Sequence, residues 1–75
     1  MAIHQLKTAP EYFGPVSLGL KTAEARLNDR DYKVGDWLIL KEYDNGYTGR
    51  EVSRKVTHVA DISFIRQDYV LISMV

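Results

Sequence analysis

The 75-residue chain contains no cysteine, so neither a disulfide nor a thiolate metal site can brace it. It has no surplus of charge either: ten Lys and Arg offset ten Asp and Glu, and the pI is near 6.7. Proteins that grip duplex DNA by neutralising phosphates carry a basic excess, often with a pI above about 9. That class is excluded. No apolar run approaches the roughly 20 residues that span a bilayer. The opening Met1-Ala2-Ile3-His4-Gln5-Leu6-Lys7 lacks a basic segment followed by an apolar one, so a cleaved secretion signal is not expected. Glycine-rich phosphate loops of the Walker or dinucleotide type are also missing.

What is present is 45% hydrophobic residues, eight of the chain's side chains being aromatic. That content permits a dense core and argues against disorder. A core this small supplies on the order of 3–5 kcal/mol. The expectation is one cytoplasmic domain over residues 1–75, with no linker, repeat or low-complexity tract.

Ala2 to Lys7 reads as a short opening strand. Thr8 stands where a helix N-cap would, with Pro10 in the first turn and Glu11 beside the positive helix end. Tyr12, Phe13, Val16 and Leu20 follow the spacing of an apolar helical stripe. Gly14-Pro15 interrupts it, because proline lacks a donor and disfavours helical geometry at the residue before it. A short helix, kinked or split at that point and stopped by Gly19, is predicted.

From Lys21 the period changes to two. Thr22, Glu24 and Arg26 fall on one face and Ala23, Ala25 and Leu27 on the other, the pattern of a half-buried strand. Polar turns follow at Asn28–Asp31 and Lys33–Asp36. A well-covered strand then runs from Trp37 to Tyr43, with Trp37 expected in the core against the helix stripe. Asp44-Asn45-Gly46 is a strong hairpin signal, leading to a long strand from Arg50 to Ala60. Ile62 to Asp68 connects to a last strand, Tyr69 to Val75, with Phe64 and Ile65 expected to pin the connection. So many strands in so few residues usually close on themselves to hide their edges. The fold expected is α+β, mainly β: a small mixed barrel of about five strands with one short helix after the first.

The junction after the helix is the most informative stretch for function. Lys21 stands at its mouth, and Glu24 and Arg26 share a strand face. Arg presents a fixed fork of donors and Glu accepts from amino groups, so the face could hold the polar edge of a planar ligand. The same spacing also suits an ordinary solvated ion pair.

Gly19, Lys21, Glu24 and Arg26 form the pattern G-x-K-x-x-E-x-R, which resembles the signature of the ASCH family in the PUA-like superfamily. Asn28-Asp29-Arg30-Asp31-Tyr32, Val34-Gly35-Asp36 and Gly46-Tyr47-Thr48-Gly49-Arg50-Glu51 extend the likeness to a group of very short ASCH-like proteins. The resemblance implies a PUA-like barrel with a cleft between barrel and helix. It further implies that RNA or a nucleotide-like small molecule binds there, lined by Lys21, Glu24 and Arg26. Some larger ASCH proteins are amidohydrolases acting on acetylcytidine, with the motif lysine as base and a threonine as nucleophile. Lys21 matches that lysine, whereas Glu24 occupies the threonine position. Catalysis here would need Glu24 to activate a water beside Lys21.

Tyr43, Tyr47 and Arg50 form a secondary candidate, either a base-stacking platform or cross-strand packing. The hairpin carrying them could instead mediate protein contacts, including homodimerisation at an open barrel edge. Arg50, Arg54 and Lys55, a basic cluster diluted by Glu51, could reach phosphate or simply face water. His4 and His58 without cysteine give no case for zinc, and Ser17 and Ser53 have no evident base. No cofactor or metal is implied.

Overall fold

The computed structural model describes residues 1–75. The elements run β1 (Ile3–Thr8), α1 (Pro10–Ser17), β2 (Ala23–Leu27), β3 (Trp37–Tyr43), β4 (Tyr47–Asp61) and β5 (Tyr69–Met74). They form one mixed five-stranded sheet in the order β1-β3-β4-β5-β2. β1 and β3 are parallel, joined through α1 and β2, and every other pair is antiparallel. The mainly-β domain with a single helix is as expected. The closed barrel is not found. β1 and β2 are the two edges of the sheet, and no backbone ladder joins them. No helix is long and apolar enough to cross a membrane.

β4 is the spine of the sheet. Its first half pairs with β3 and its second half with β5. It starts at Tyr47 rather than Arg50, since Tyr43 and Tyr47 already face each other across the turn. Asn45 and Gly46 both adopt positive φ there, at 57° and 147°. A bulge between Val56 and His58 adds one unpaired residue and reverses the parity of the strand. Val56 is therefore buried and Val59 half-buried, while His58 points to solvent.

The core contains Leu6 from β1, Val16 from α1, Leu38 and Leu40 from β3, Val56 from β4, and Val70, Ile72 and Met74 from β5, with Tyr32 closing it. Four expectations about burial fail, each for a local reason. Trp37 alternates with inward Leu38 and Leu40, so it lies on the outer face, in register with Ile3 and Lys55. Tyr12 is exposed because Phe13 and Val16 alone form the buried face of α1. Leu20 is exposed because the chain turns away at Gly19, whose φ is +76°. Phe64 and Ile65 project outward, since their loop is held by its own turn bonds from Ile65 and Arg66 to the Ile62 carbonyl.

The helix ends also differ from expectation. Thr8 finishes β1 instead of capping α1; Ala9 holds the N-cap position without a side-chain bond. α1 is not split: it runs continuously through Gly14-Pro15. In so short a helix the donor missing at Pro15 affects only the carbonyl of Glu11, which is exposed to water. At the other end the carbonyls are fully used. Leu18 N–H and Ser17 Oγ donate to Gly14, Leu20 and Lys21 N–H to Pro15, and Gly19 N–H to Val16. This is a Schellman-type ending, which requires the positive φ that Gly19 supplies. Arg54 of β4 completes it, with Nη2 donating to Val16 O at 2.9 Å and Ser17 O at 3.2 Å. Arg54 is thus a helix cap rather than a phosphate contact.

The first strand is tied in by Asp36. Its carboxylate accepts from Ala2 N–H (2.8 Å), His4 Nε2 (2.8 Å) and Lys33 N–H (3.0 Å). A carboxylate only accepts, so His4 carries the proton on Nε2. His4 also packs edge-on against Tyr32 at 4.8 Å. Chiefly through the Ala2 N–H bond, then through His4, the Asp36 carboxyl is held down at about pKa 2. Burial pushes the Tyr32 hydroxyl up.

A depressed carboxylate stabilises the fold above its unfolded pKa of about 3.9. The Asp36 contribution is therefore intact above about pH 4, shrinks as the unfolded chain takes up its proton, and is gone once pH falls through about 2. Urea midpoints measured from pH 5 to pH 2 should fall more steeply for the wild type than for Asp36→Asn, which should be less stable at neutral pH. Parallel curves would contradict this account.

Candidate functional site

Antiparallel register decides what β2 presents. Glu24 stands opposite Ile72 and Arg26 opposite Val70, and opposed residues share a face. Ile72 and Val70 belong to the core, so Glu24 and Arg26 turn inward as well. The apolar parity of β2 is the outer one, with Ala25 and Leu27 exposed. This inverts the usual arrangement of a half-buried strand. A carboxylate and a guanidinium occupy positions where leucines would ordinarily stand.

The two charges are paired. Arg26 Nε donates to Glu24 Oε2 at 2.9 Å, with side chains 24% and 8% exposed. Arg26 Nη2 donates to the carbonyl of Lys7 on β1 at 2.8 Å. β1 and β2 lie at opposite ends of the strand order, so this bond requires the sheet to curl until its edges are one side chain apart. The remaining gap is a cleft of about 450 Å³. Lys7, Tyr12, Lys21, Glu24 and Arg26 line it, with Ala9 and Ala25 as its small residues. Lys21 arrives directly from the Gly19 turn; its ammonium donates to Ala23 O and lies 5.7 Å from the Tyr12 ring centre.

The structure therefore brings Lys21, Glu24 and Arg26 to one hollow. Two of the arginine's five N–H donors are already committed, which leaves both on Nη1 and one on Nη2. Glu24 orients the guanidinium through Oε2, so Oε1 is the acceptor left for a ligand. Tyr12 and Lys7 were not legible as cleft residues. The sequence pattern assigns Tyr12 to the core, and nothing in it shows that β1 would meet β2. No threonine hydroxyl lines the hollow. Thr8, between Lys7 and Ala9, keeps its Oγ1 buried without a partner.

The secondary group is divided. Tyr43 and Tyr47 pack edge to face at 5.2 Å on the outer face of the sheet. Arg50 points the other way, 4.9 Å over the Phe13 ring of α1 and 3.7 Å from Glu42 Oε1. Glu42 is buried and also accepts from Thr48 Oγ1 at 2.8 Å. His4 and His58 do not meet, one being locked on Asp36 and the other in solvent.

A second hollow of about 560 Å³ lies past the end of β2. Its wall includes Asp29, Asp61 and Asp68 and no basic side chain. Ser63 N–H holds the Asp61 carboxyl below the usual carboxylate range. Three acidic residues make it unsuited to an anion.

Leaving one member of an inward ion pair alone is expensive, about 3–5 kcal/mol when fully enclosed. The partial exposure of Arg26 reduces this, so Glu24→Ala should cost about 2–3 kcal/mol in urea unfolding. The double variant Glu24→Leu/Arg26→Met should recover most of the loss, because neither charge is then stranded. Measuring Glu24→Leu and Arg26→Met singly completes the cycle, and additive losses in it would show that the pair is not coupled.

Comparison with known proteins supplies a family. Residues 3–74 match the family described as a domain of unknown function, DUF3850. The chain is also 46% identical, over 71 residues, to the "Uncharacterized 12.9 kDa protein in GpA 3'region" of Escherichia phage P2. That similarity covers 93% of this chain and 65% of the phage protein, so the chain spans just under two thirds of that relative. With nearly every residue inside the family match, the chain belongs to the DUF3850 family.

Proposed function

We propose that the cleft between the end of β1, α1 and β2 binds RNA or a nucleotide-like small molecule, and that the curled sheet is a PUA-like barrel left open at this seam. The observation that carries the reading is the convergence of Lys21, Glu24 and Arg26 on a single hollow. Ligand clefts commonly measure about 300–1,000 Å³, and this one falls within that range. Lys21 has only a backbone carbonyl as partner, which a phosphate or carbonyl oxygen of the ligand can replace. Arg26 Nη1 donates to a ring nitrogen or oxygen, and Glu24 Oε1 accepts from an amino group. Tyr12, about half exposed, offers a ring face beside them. A nucleotide would find in one place a cation for its phosphate, a donor and an acceptor for its edge, and a ring for its base.

The balanced charge of the chain favours one specific cleft over a long polyanion track. A cytoplasmic location accords with such a ligand.

Amide shift mapping with nucleoside monophosphates and short RNAs tests the reading. Perturbations should cluster at residues 7–12 and 21–26. Lys21→Ala should weaken binding of a monophosphate about tenfold, the effect of losing one charge-assisted contact of ~1.4 kcal/mol. The salt slope for the monophosphate should correspond to about one or two neutralised phosphates. Shifts that leave both of these segments unmoved, or no response to any of these probes, would overturn the proposal.

A further inference from the structure

The outer face of β1, β3 and β4 carries a second group of side chains, and it begins where the cleft ends. Register places Lys7 beside Lys41, and Tyr43 beside Tyr47. Lys7 Nζ lies 4.4 Å from the centre of the Tyr43 ring, and Lys41 Nζ lies 4.9 Å from that of Tyr47. The rings meet edge to face at 83°. Tyr43 is 37% exposed and Tyr47 56%, and neither belongs to the core. Lys7 is common to both places: its carbonyl receives Arg26 at the cleft wall, and its ammonium covers Tyr43.

We infer that this face is a second contact for single-stranded nucleic acid, so that the ligand is an oligonucleotide and not a free nucleotide. The inference rests on the reading of the cleft given above. A nucleotide seated at Lys21 and Arg26 has its neighbour directed past Lys7 onto the tyrosine pair. There each lysine can leave its ring for an adjacent phosphate while a base takes its place on the ring face. The exchange favours the ligand. A solvated lysine over a ring is a weak contact, whereas loss of a stacked base lowers affinity about 5- to 100-fold. Asp44, at the turn beyond the tyrosine pair, places negative charge at the far end of the track, and Glu51, in register with Lys41, places one beside its second lysine. Stacking is tolerant of base identity, so this face contributes length dependence and not sequence preference.

The test compares a nucleoside monophosphate with a mixed-sequence tetranucleotide, as RNA and as DNA, by titration calorimetry. The wild type should bind the tetranucleotide at least about tenfold more tightly than the monophosphate. Tyr43→Ala/Tyr47→Ala should abolish that gain and leave monophosphate affinity unchanged. Tyr43→Phe/Tyr47→Phe, which keeps the rings, should retain it. Lys7→Gln/Lys41→Gln should lower the tetranucleotide salt slope by about 1.4, two phosphates at roughly 0.7 each on a single strand. Equal affinity for the two lengths, or a gain that survives removal of both rings, would overturn the inference while leaving the cleft reading intact. Tetranucleotide binding that needs the tyrosines but ignores Lys21→Ala would overturn the cleft reading, and with it the path from cleft to tyrosines. Equal gains with RNA and DNA would mean that the 2′-hydroxyl is not read; a gain with RNA alone would mean that it is, and either supports the contact.

Discussion

Arg26 reaches from one edge of the sheet to the other. It stands where a closed barrel would have a backbone ladder. Its fork joins β2 to the Lys7 carbonyl of β1, and Glu24 beside it neutralises the charge that this bridge brings inward. A full ladder would have sealed the seam with several bonds of about 0.5–1.5 kcal/mol each, leaving no room for a ligand. A side chain holds the edges in place and keeps space between them. Shape and chemistry of the hollow thus have one cause. The residues that keep the sheet from splaying are also its polar lining.

The supports of this seam lie in other elements. Arg54 on the spine strand holds the end of α1 through Val16 O and Ser17 O. That fixes the Gly19 turn, which delivers Lys21 to the cleft mouth. Asp36 ties Ala2, His4 and Lys33 together and fixes the start of β1, so that Lys7 comes level with Arg26. Both supports are polar side chains satisfying buried or terminal backbone groups, as expected where a small core leaves little apolar area to fix geometry.

Much of the fold was legible because it follows from local signals. Asn45-Gly46, the Val- and Thr-rich spine and the alternation in β3 mark their strands and turn directly. The convergence of Lys21, Glu24 and Arg26 was also legible, because Lys21 follows directly on the helix stop and Glu24 and Arg26 share one strand face. The side of β2 that faces inward was not. Alternation gives two parities, and hydrophobicity chooses the wrong one, because the choice was made by pairing with Ile72 and Val70 far along the chain. Tyr12, Trp37, Phe64 and Ile65 were misplaced for a related reason: an aromatic in a short sequence looks like core until partners claim the inner positions. Arg54 and Asp36 gave no local sign of their roles, since their partners are backbone groups of distant segments. The bulge at Thr57, which sends His58 outward, has no sequence signature either.

The strand order carries a consequence for how the molecule assembles and loosens. β3 and β4 are joined by a three-residue turn, and hairpins of this kind form in roughly 1–10 μs. β1 must find β3 across α1 and β2, with Ile3 meeting Trp37, and β2 must find β5 with Ala23 meeting Ser73. Contacts between distant segments carry the larger loop-closure cost and are made late. The two edges are also covered on one side only, so the reverse path begins with them. The walls of the cleft are then the last parts to dock and the first to open, and the surface best placed to meet a ligand is also the one whose order a ligand can most increase.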